Sequence, residues 1–197
     1  REERLQNMTI KGLPPKQGLY DPRNEHDACG IGFVANIKGV KSHAIVKQAL
    51  RVLCNLDHRG GQGSDPNTGD GAGILMQIPD TYFQSACEQE NIKLPISGSY
   101  GVGMVYLPQE LEARQACEST IERIVKQEGQ LFLGWRTVPT NNSSLGKSAI
   151  SAEPYVRQVF IGQSADVATN LDFERKLYII RKLSENAIKI SHAHSQF

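Results

Sequence analysis

The stretch NEHDACGIGF, residues 24–33, sets a cysteine among small neighbours at the start of an apolar alternation. Cys29, Ile31, Phe33 and Ala35 fall on one side of it, and Gly30, Gly32, Val34 and Asn36 on the other. A period of two predicts a strand from Cys29 to Asn36, with glycines that let another element approach one face closely; Gly39 ends it. In front stands a leader, residues 1–28, which is polar, carries Pro14, Pro15 and Pro22, and has no sustained periodicity. It reads as an extended segment. A cysteine at a strand start is ordinarily a small core residue. The leader suggests another use, because cutting the bond between Ala28 and Cys29 makes Cys29 an N-terminus. A free thiol, with an ordinary pKa of about 8.5, is mostly protonated at neutral pH. A freed α-amine, at about 7.7–8.0, can accept that proton, as the terminal amine does for a threonine nucleophile. His26 is a second candidate base, within the leader.

The totals narrow the setting. A chain of 197 residues buries a core of ordinary size and forms one domain or part of a larger one. With 39% hydrophobic and 22% charged residues it reads as soluble and globular. A net charge of +1 provides no basic field for nucleic acid or an anionic membrane. No apolar run reaches the roughly 18 residues of a membrane helix, and no apolar core follows the basic residues of the leader, so no secretory signal is expected. Cys29, Cys54, Cys87 and Cys117 are scattered, which predicts reduced thiols and a cytoplasmic setting.

Outward from the first strand, Ser42 is placed to cap a helix over 43–56, whose stripe is Ile45, Ala49, Val52 and Leu56. Residues 57–73 form a turn-rich loop, ILMQIP at 74–79 reads as a buried strand, and 80–92 as a short helix. A strand at 100–108, a helix at 109–129 closed by Gly129, and a strand pair at 131–139 and 153–162 across a polar loop follow. Leu177, Ile180, Leu183, Ala187 and Ile190 mark a helix over 173–190, with His192 and His194 in a frayed end. Paired strands with helices between them predict sheets covered by helices. The chain ends just past a helix, at Phe197, which reads as truncation.

The second candidate site is LDHRGG, residues 56–61. Its ordinary reading is a helix C-terminus, where basic side chains satisfy the last carbonyls. Its functional reading makes Arg59 a fixed cation beside a thiolate, or a clamp on a carboxylate. Three other motifs fail. GIGFVA, residues 30–35, matches a dinucleotide fingerprint as a string but lies within the strand instead of following it. DPNTGDG, residues 65–71, has its glycine at the wrong place for a calcium loop, though Asp70 can still orient a neighbour. NNSSLGKS, residues 141–148, lacks the first glycine of a P-loop, and Pro154 leaves no room for the helix that must hold the phosphates. The pairs Cys54/His58 and His26/Cys29 suit zinc in spacing, but neither has a second doublet.

The stretches at 18–39, 56–79, 131–139 (LFLGWRTVP) and 146–161 (GKSAISAEPYVRQVFI) together resemble the start of the glutamate synthase large-subunit family, from about Gly18 to Phe197. The resemblance implies a class II glutamine amidotransferase domain of the N-terminal-nucleophile hydrolase type, an α+β fold built as a four-layer α/β/β/α sandwich, here incomplete at its C-terminus. Residues 1–28 would be a prosegment, Ala28–Cys29 the processing bond, and 29–197 the first part of the domain. Cys29 would be the catalytic nucleophile, with Arg59 close to it. The substrate would be L-glutamine, and the ammonia would pass to a synthase domain of the same polypeptide that makes glutamate from 2-oxoglutarate. That domain would hold FMN and an iron–sulfur cluster, with no cofactor in this stretch, and a small reductase subunit would be a partner. One departure stands out: the family builds its oxyanion hole from an Asn-Gly pair, and no Asn-Gly dipeptide occurs in these residues. As it stands the chain is expected to be close to inactive alone. The competing reading is a non-catalytic interaction or regulatory fragment of the same fold with its leader permanently attached.

Overall fold

The computed structural model describes residues 15–19, 21, 30–61, 65 and 67–194. In chain order the elements are α1 (His43–Asn55), a 3-10 turn (Asp57–Arg59), α2 (Asp80–Glu88), β1 (Tyr100–Leu107), α3 (Leu111–Gln127), β2 (Leu131–Thr137), α4 (Lys147–Ser151), β3 (Tyr155–Gly162) and α5 (Asn170–His194). They fall into two compact units, one of residues 1–77 and 142–152, the other of residues 78–141 and 153–197.

The second unit is built on an antiparallel sheet in the order β1-β3-β2. Strand β3 is central, so its apolar run is buried on both faces. Val159 and Ile161 meet Ile121, Ile124 and Val125 of α3 and Ile180 of α5, whereas Phe160 points to the other face, among Phe83 and Cys87 of α2, Ile92 and Tyr100. The rings of Phe83 and Phe160 meet edge-on, 5.3 Å apart between centroids. Helix α3 is fastened to the sheet at its polar margin: Arg157 of β3 pairs with Glu118 at 2.8 Å, and the Trp135 indole N–H donates to Glu122 at 2.9 Å. Glu110 caps α3, its carboxylate accepting from the backbone N–H groups of Glu112 (2.8 Å) and Ala113 (2.6 Å). Gly129, at φ +72°, adopts the left-handed turn that closes the helix, as its position in the sequence predicts.

Where the expectations differ from the structure, a local cause is visible. Helix α2 stops at Glu88 because Asn91, at φ +59°, turns the chain and lets the Ile92 N–H return to the Cys87 carbonyl at 2.9 Å. Ser42 stands at the start of α1 with extended backbone but makes no side-chain cap. Helix α5 runs on through positions 192 and 194, so these are not frayed. The largest difference concerns the two strands expected at 29–36 and 74–79. Residues 30–36 and 74–79 carry no ladder, and Ile31, Phe33 and Leu75 are 94%, 92% and 102% exposed. An alternating or apolar run specifies a face that can be buried, but a ladder also needs a neighbouring strand, and the strands that pair among the described residues are β1, β3 and β2. The glycine face of 30–36 does find a partner, in α1.

Candidate active site

Helix α1 ends at Asn55, and the chain tightens into the 3-10 turn that carries Asp57, His58 and Arg59. The Arg59 N–H bonds the Leu56 carbonyl at 2.8 Å and the Gly60 N–H bonds the Asp57 carbonyl at 3.1 Å, so the backbone on both sides of the Arg59 side chain is held. His58 does what a basic residue at a helix end ordinarily does: its Nδ1 donates to the Asn55 carbonyl at 3.0 Å. Among the described residues no group of three or more His, Cys, Asp or Glu converges on one point.

Ala28, Cys29 and His26 lie outside the described residues. Gly30, the residue after Cys29, is seated against the turn. A Cβ built on Gly30 would lie 3.0 Å from Leu56 Cδ2 and 3.4 Å from Arg59 Cβ. One built on Gly32 would lie 2.6 Å from Val52 Cγ1. The close approach expected of these glycines is therefore made, and it is made to the helix whose end carries Arg59. Any side chain at 32 has to push Val52 aside.

The loop beyond the turn is tied down at two points. Asp70 accepts from the Gly61 N–H through Oδ2 at 2.9 Å and returns its own N–H to the Gly61 carbonyl at 3.3 Å. Asp65 accepts from the Thr68 hydroxyl through Oδ1 at 2.8 Å and from the Ser148 N–H through Oδ2 at 3.2 Å. Thr68 Oγ1 in turn accepts from the Ala149 N–H at 3.4 Å, and the Gly146 N–H bonds the Asn67 carbonyl at 2.8 Å. The start of α4 thus receives an anion from its own chain. This explains why the P-loop-like string at 141–148 is not a phosphate site: the helix has five residues, and its first amides are already engaged. Sequence reasoning missed this tie, because Asp65 and Ser148 lie 83 positions apart.

Hydrogen bonds from Thr68 and Ser148 hold the Asp65 carboxyl below its ordinary pKa of 3.8. A depressed folded pKa means that its contribution is complete above that ordinary value and is lost as pH falls through the folded one. Replacing Asp65 by Ala is expected to expose residues 142–152 to protease at neutral pH, and wild-type protein should show the same cleavage only below about pH 4. Gly146→Val should match Asp65→Ala, since a Cβ at 146 overlaps the Asp65 carboxylate. Unchanged cleavage patterns would remove Asp65 from the account.

The other cysteines divide clearly. Cys87 and Cys117 are buried in the second unit, and burial pushes both thiols up, away from the reactive thiolate. Cys54 is exposed on α1.

Residues 29–197 match the family model of the class II glutamine amidotransferases, a match whose first residue is Cys29. The chain belongs to this family. It is 57% identical over 179 residues, 91% of its length, to the protein named glutamate synthase [NADPH] large chain of Bacillus subtilis. It is 40% identical over 181 residues to the glutamate synthase [NADH] of Schizosaccharomyces pombe, and 40% identical over 193 residues to the ferredoxin-dependent glutamate synthase 1 of Arabidopsis thaliana. These matches take up 12%, 9% and 12% of the three relatives, so the chain spans about a tenth of their length. It is therefore a class II amidotransferase sequence of the glutamate synthase type. No helix among the described residues is long and apolar enough to cross a membrane.

Proposed function

We propose that this amidotransferase domain hydrolyses L-glutamine to glutamate and ammonia with Cys29 as nucleophile, after removal of residues 1–28 at the Ala28–Cys29 bond. The observation that carries the reading is the seating of Gly30 against the turn that bears Arg59, in a chain whose family match starts at Cys29. The Cys29 thiol loses its proton to its own α-amine, and the thiolate attacks the side-chain amide carbon of glutamine. The C–N bond breaks as the protonated amine returns its proton to the departing ammonia, leaving a thioester. Water adds to the thioester, glutamate leaves, and the thiol is restored. Arg59, always charged and fixed by its backbone, favours the thiolate or holds a carboxylate of the substrate.

The larger frame is part of the same proposal. The complete domain is a four-layer α/β/β/α sandwich, in which the bare apolar segments 31–33 and 74–76 pair into sheets. The ammonia is used by a synthase domain of the same polypeptide, on 2-oxoglutarate, in the cytoplasm, with a small reductase subunit as the electron-donating partner. FMN and an iron–sulfur cluster belong to that synthase domain.

A glutamine-like diazoketone tests the chemistry in the full-length polypeptide. Peptide mapping should find it on Cys29 alone, with Cys54, Cys87 and Cys117 unmodified. Label spread over Cys54 as well, or absent from Cys29, would contradict the assignment.

A further inference from the structure

The sequence singled out Asp70 as a residue able to orient a neighbour, and nothing in the proposed chemistry uses it. Its position is specific. The carboxylate stands over both glycines that follow Arg59: Oδ2 accepts from the Gly61 N–H at 2.9 Å, and Oδ1 lies 3.6 Å from a Cβ built on Gly60. The Asp70 N–H donates to the Gly61 carbonyl at 3.3 Å, so the two residues exchange a pair of bonds that closes the loop between them. Two glycines have no side chains with which to hold their own conformation, and Gly in a loop is the residue that loses most freedom on ordering. On the upstream side Arg59 is fixed by α1 and by the contact of Gly30 with Leu56. On the downstream side, among the described contacts of Gly60 and Gly61, Asp70 supplies the side-chain anchor.

We propose that Asp70 is a positioning residue for the reaction, acting through Arg59: it clamps the Gly60–Gly61 segment so that the Arg59 side chain leaves the turn in one direction. Asp70 touches neither nucleophile nor substrate. The proposal rests on the role given to Arg59 above, and the test separates the two.

Ammonia release from glutamine is measured for the full-length polypeptide carrying Arg59→Ala, Asp70→Ala, Asp70→Asn or the Arg59/Asp70 double alanine change, with unfolding midpoints recorded in parallel. Misplacement of a fixed group costs up to about 100-fold, so Asp70→Ala is expected to lower kcat/KM roughly 10- to 100-fold. Asp70→Asn keeps an acceptor for the Gly61 N–H and should recover most of that loss. In the Arg59→Ala background the additional loss from Asp70→Ala should shrink to within about twofold, because the group it positions is gone. A loss that persists in full in that background means that Asp70 acts on the domain as a whole and overturns the inference. Arg59→Ala impaired beside an unaffected Asp70→Ala also overturns it, while leaving the function standing. An unaffected Arg59→Ala defeats the reading of Arg59 itself, and the inference with it. Where Asp70→Ala does not accumulate folded, Asp70→Ser, with a shorter acceptor, takes its place in the cycle and is judged by the same outcomes.

Discussion

Replacing Cys29 by alanine in the full-length polypeptide is expected to lower ammonia release from glutamine by about 10⁴-fold or more, the scale seen when a nucleophile acting with its base is removed. The size follows from what the residue is asked to supply. Cys29 provides both the sulfur that forms the thioester and, once the leader is gone, the amine that carries the proton, so the change removes the covalent route entirely. With alanine there, the α-amine has no thiol to serve whether or not the leader is removed. Any residual rate would have to come from water attacking an amide held by the site. The corresponding change at Cys87 or Cys117 should leave the turnover chemistry alone and affect only stability, since both thiols lie in the core of the second unit. Steady-state assay of released ammonia decides it, and a Cys29→Ala protein within tenfold of wild type would end the assignment.

The largest effect on stability is expected at Phe160. This side chain is fully buried and packs on the α2 face against Phe83, Cys87, Ile92 and Tyr100, while its neighbours Val159 and Ile161 anchor α3 and α5 on the opposite face. Phe160→Ala removes the ring that joins α2 to the sheet and leaves a cavity that the strand, held on both sides by ladders, cannot close. The expected loss is about 3–5 kcal/mol, against a typical total of roughly 5–15 kcal/mol for a domain. Phe160→Leu keeps most of the volume and should cost about 1–2 kcal/mol. Urea unfolding followed by Trp135, the chain's single tryptophan, reads both, because that indole sits in the cluster on the far face of the same sheet. A fall in midpoint at constant slope is the expected form; a Phe160→Ala protein as stable as wild type would mean that the α2 face contributes little.

How much of this could be read beforehand depended on how local the cause was. Strands β1, β2 and β3 and helices α3 and α5 stand where alternation and helical spacing place them, because each is long, periodic and bounded by a turn residue such as Gly129. The glycine face of residues 30–32 was legible too, since an absent side chain at alternate positions has few other uses in a strand. Segments 30–36 and 74–79 were not, because a ladder is a property of two strands and the pattern records only one. Capping was legible in part. Glu110, a weak N-cap by preference, caps α3 with both oxygens, whereas Ser42, a strong one, caps nothing. Around the candidate site, the turn with His58 and Arg59 followed from its own residues. The bonds from Asp65 to the start of α4 did not, because no local pattern announces a contact made 83 positions away.

The central claim is that Cys29 acts from the N-terminus, and the most direct measurement is the intact mass of the purified full-length polypeptide with sequencing of its first residues. The account predicts a mature chain that begins Cys29-Gly30-Ile31, with the leader absent and the α-amine free. A chain that keeps residues ahead of Cys29 and still releases ammonia from glutamine would contradict it, since the amine assigned as base would then be locked in a peptide bond.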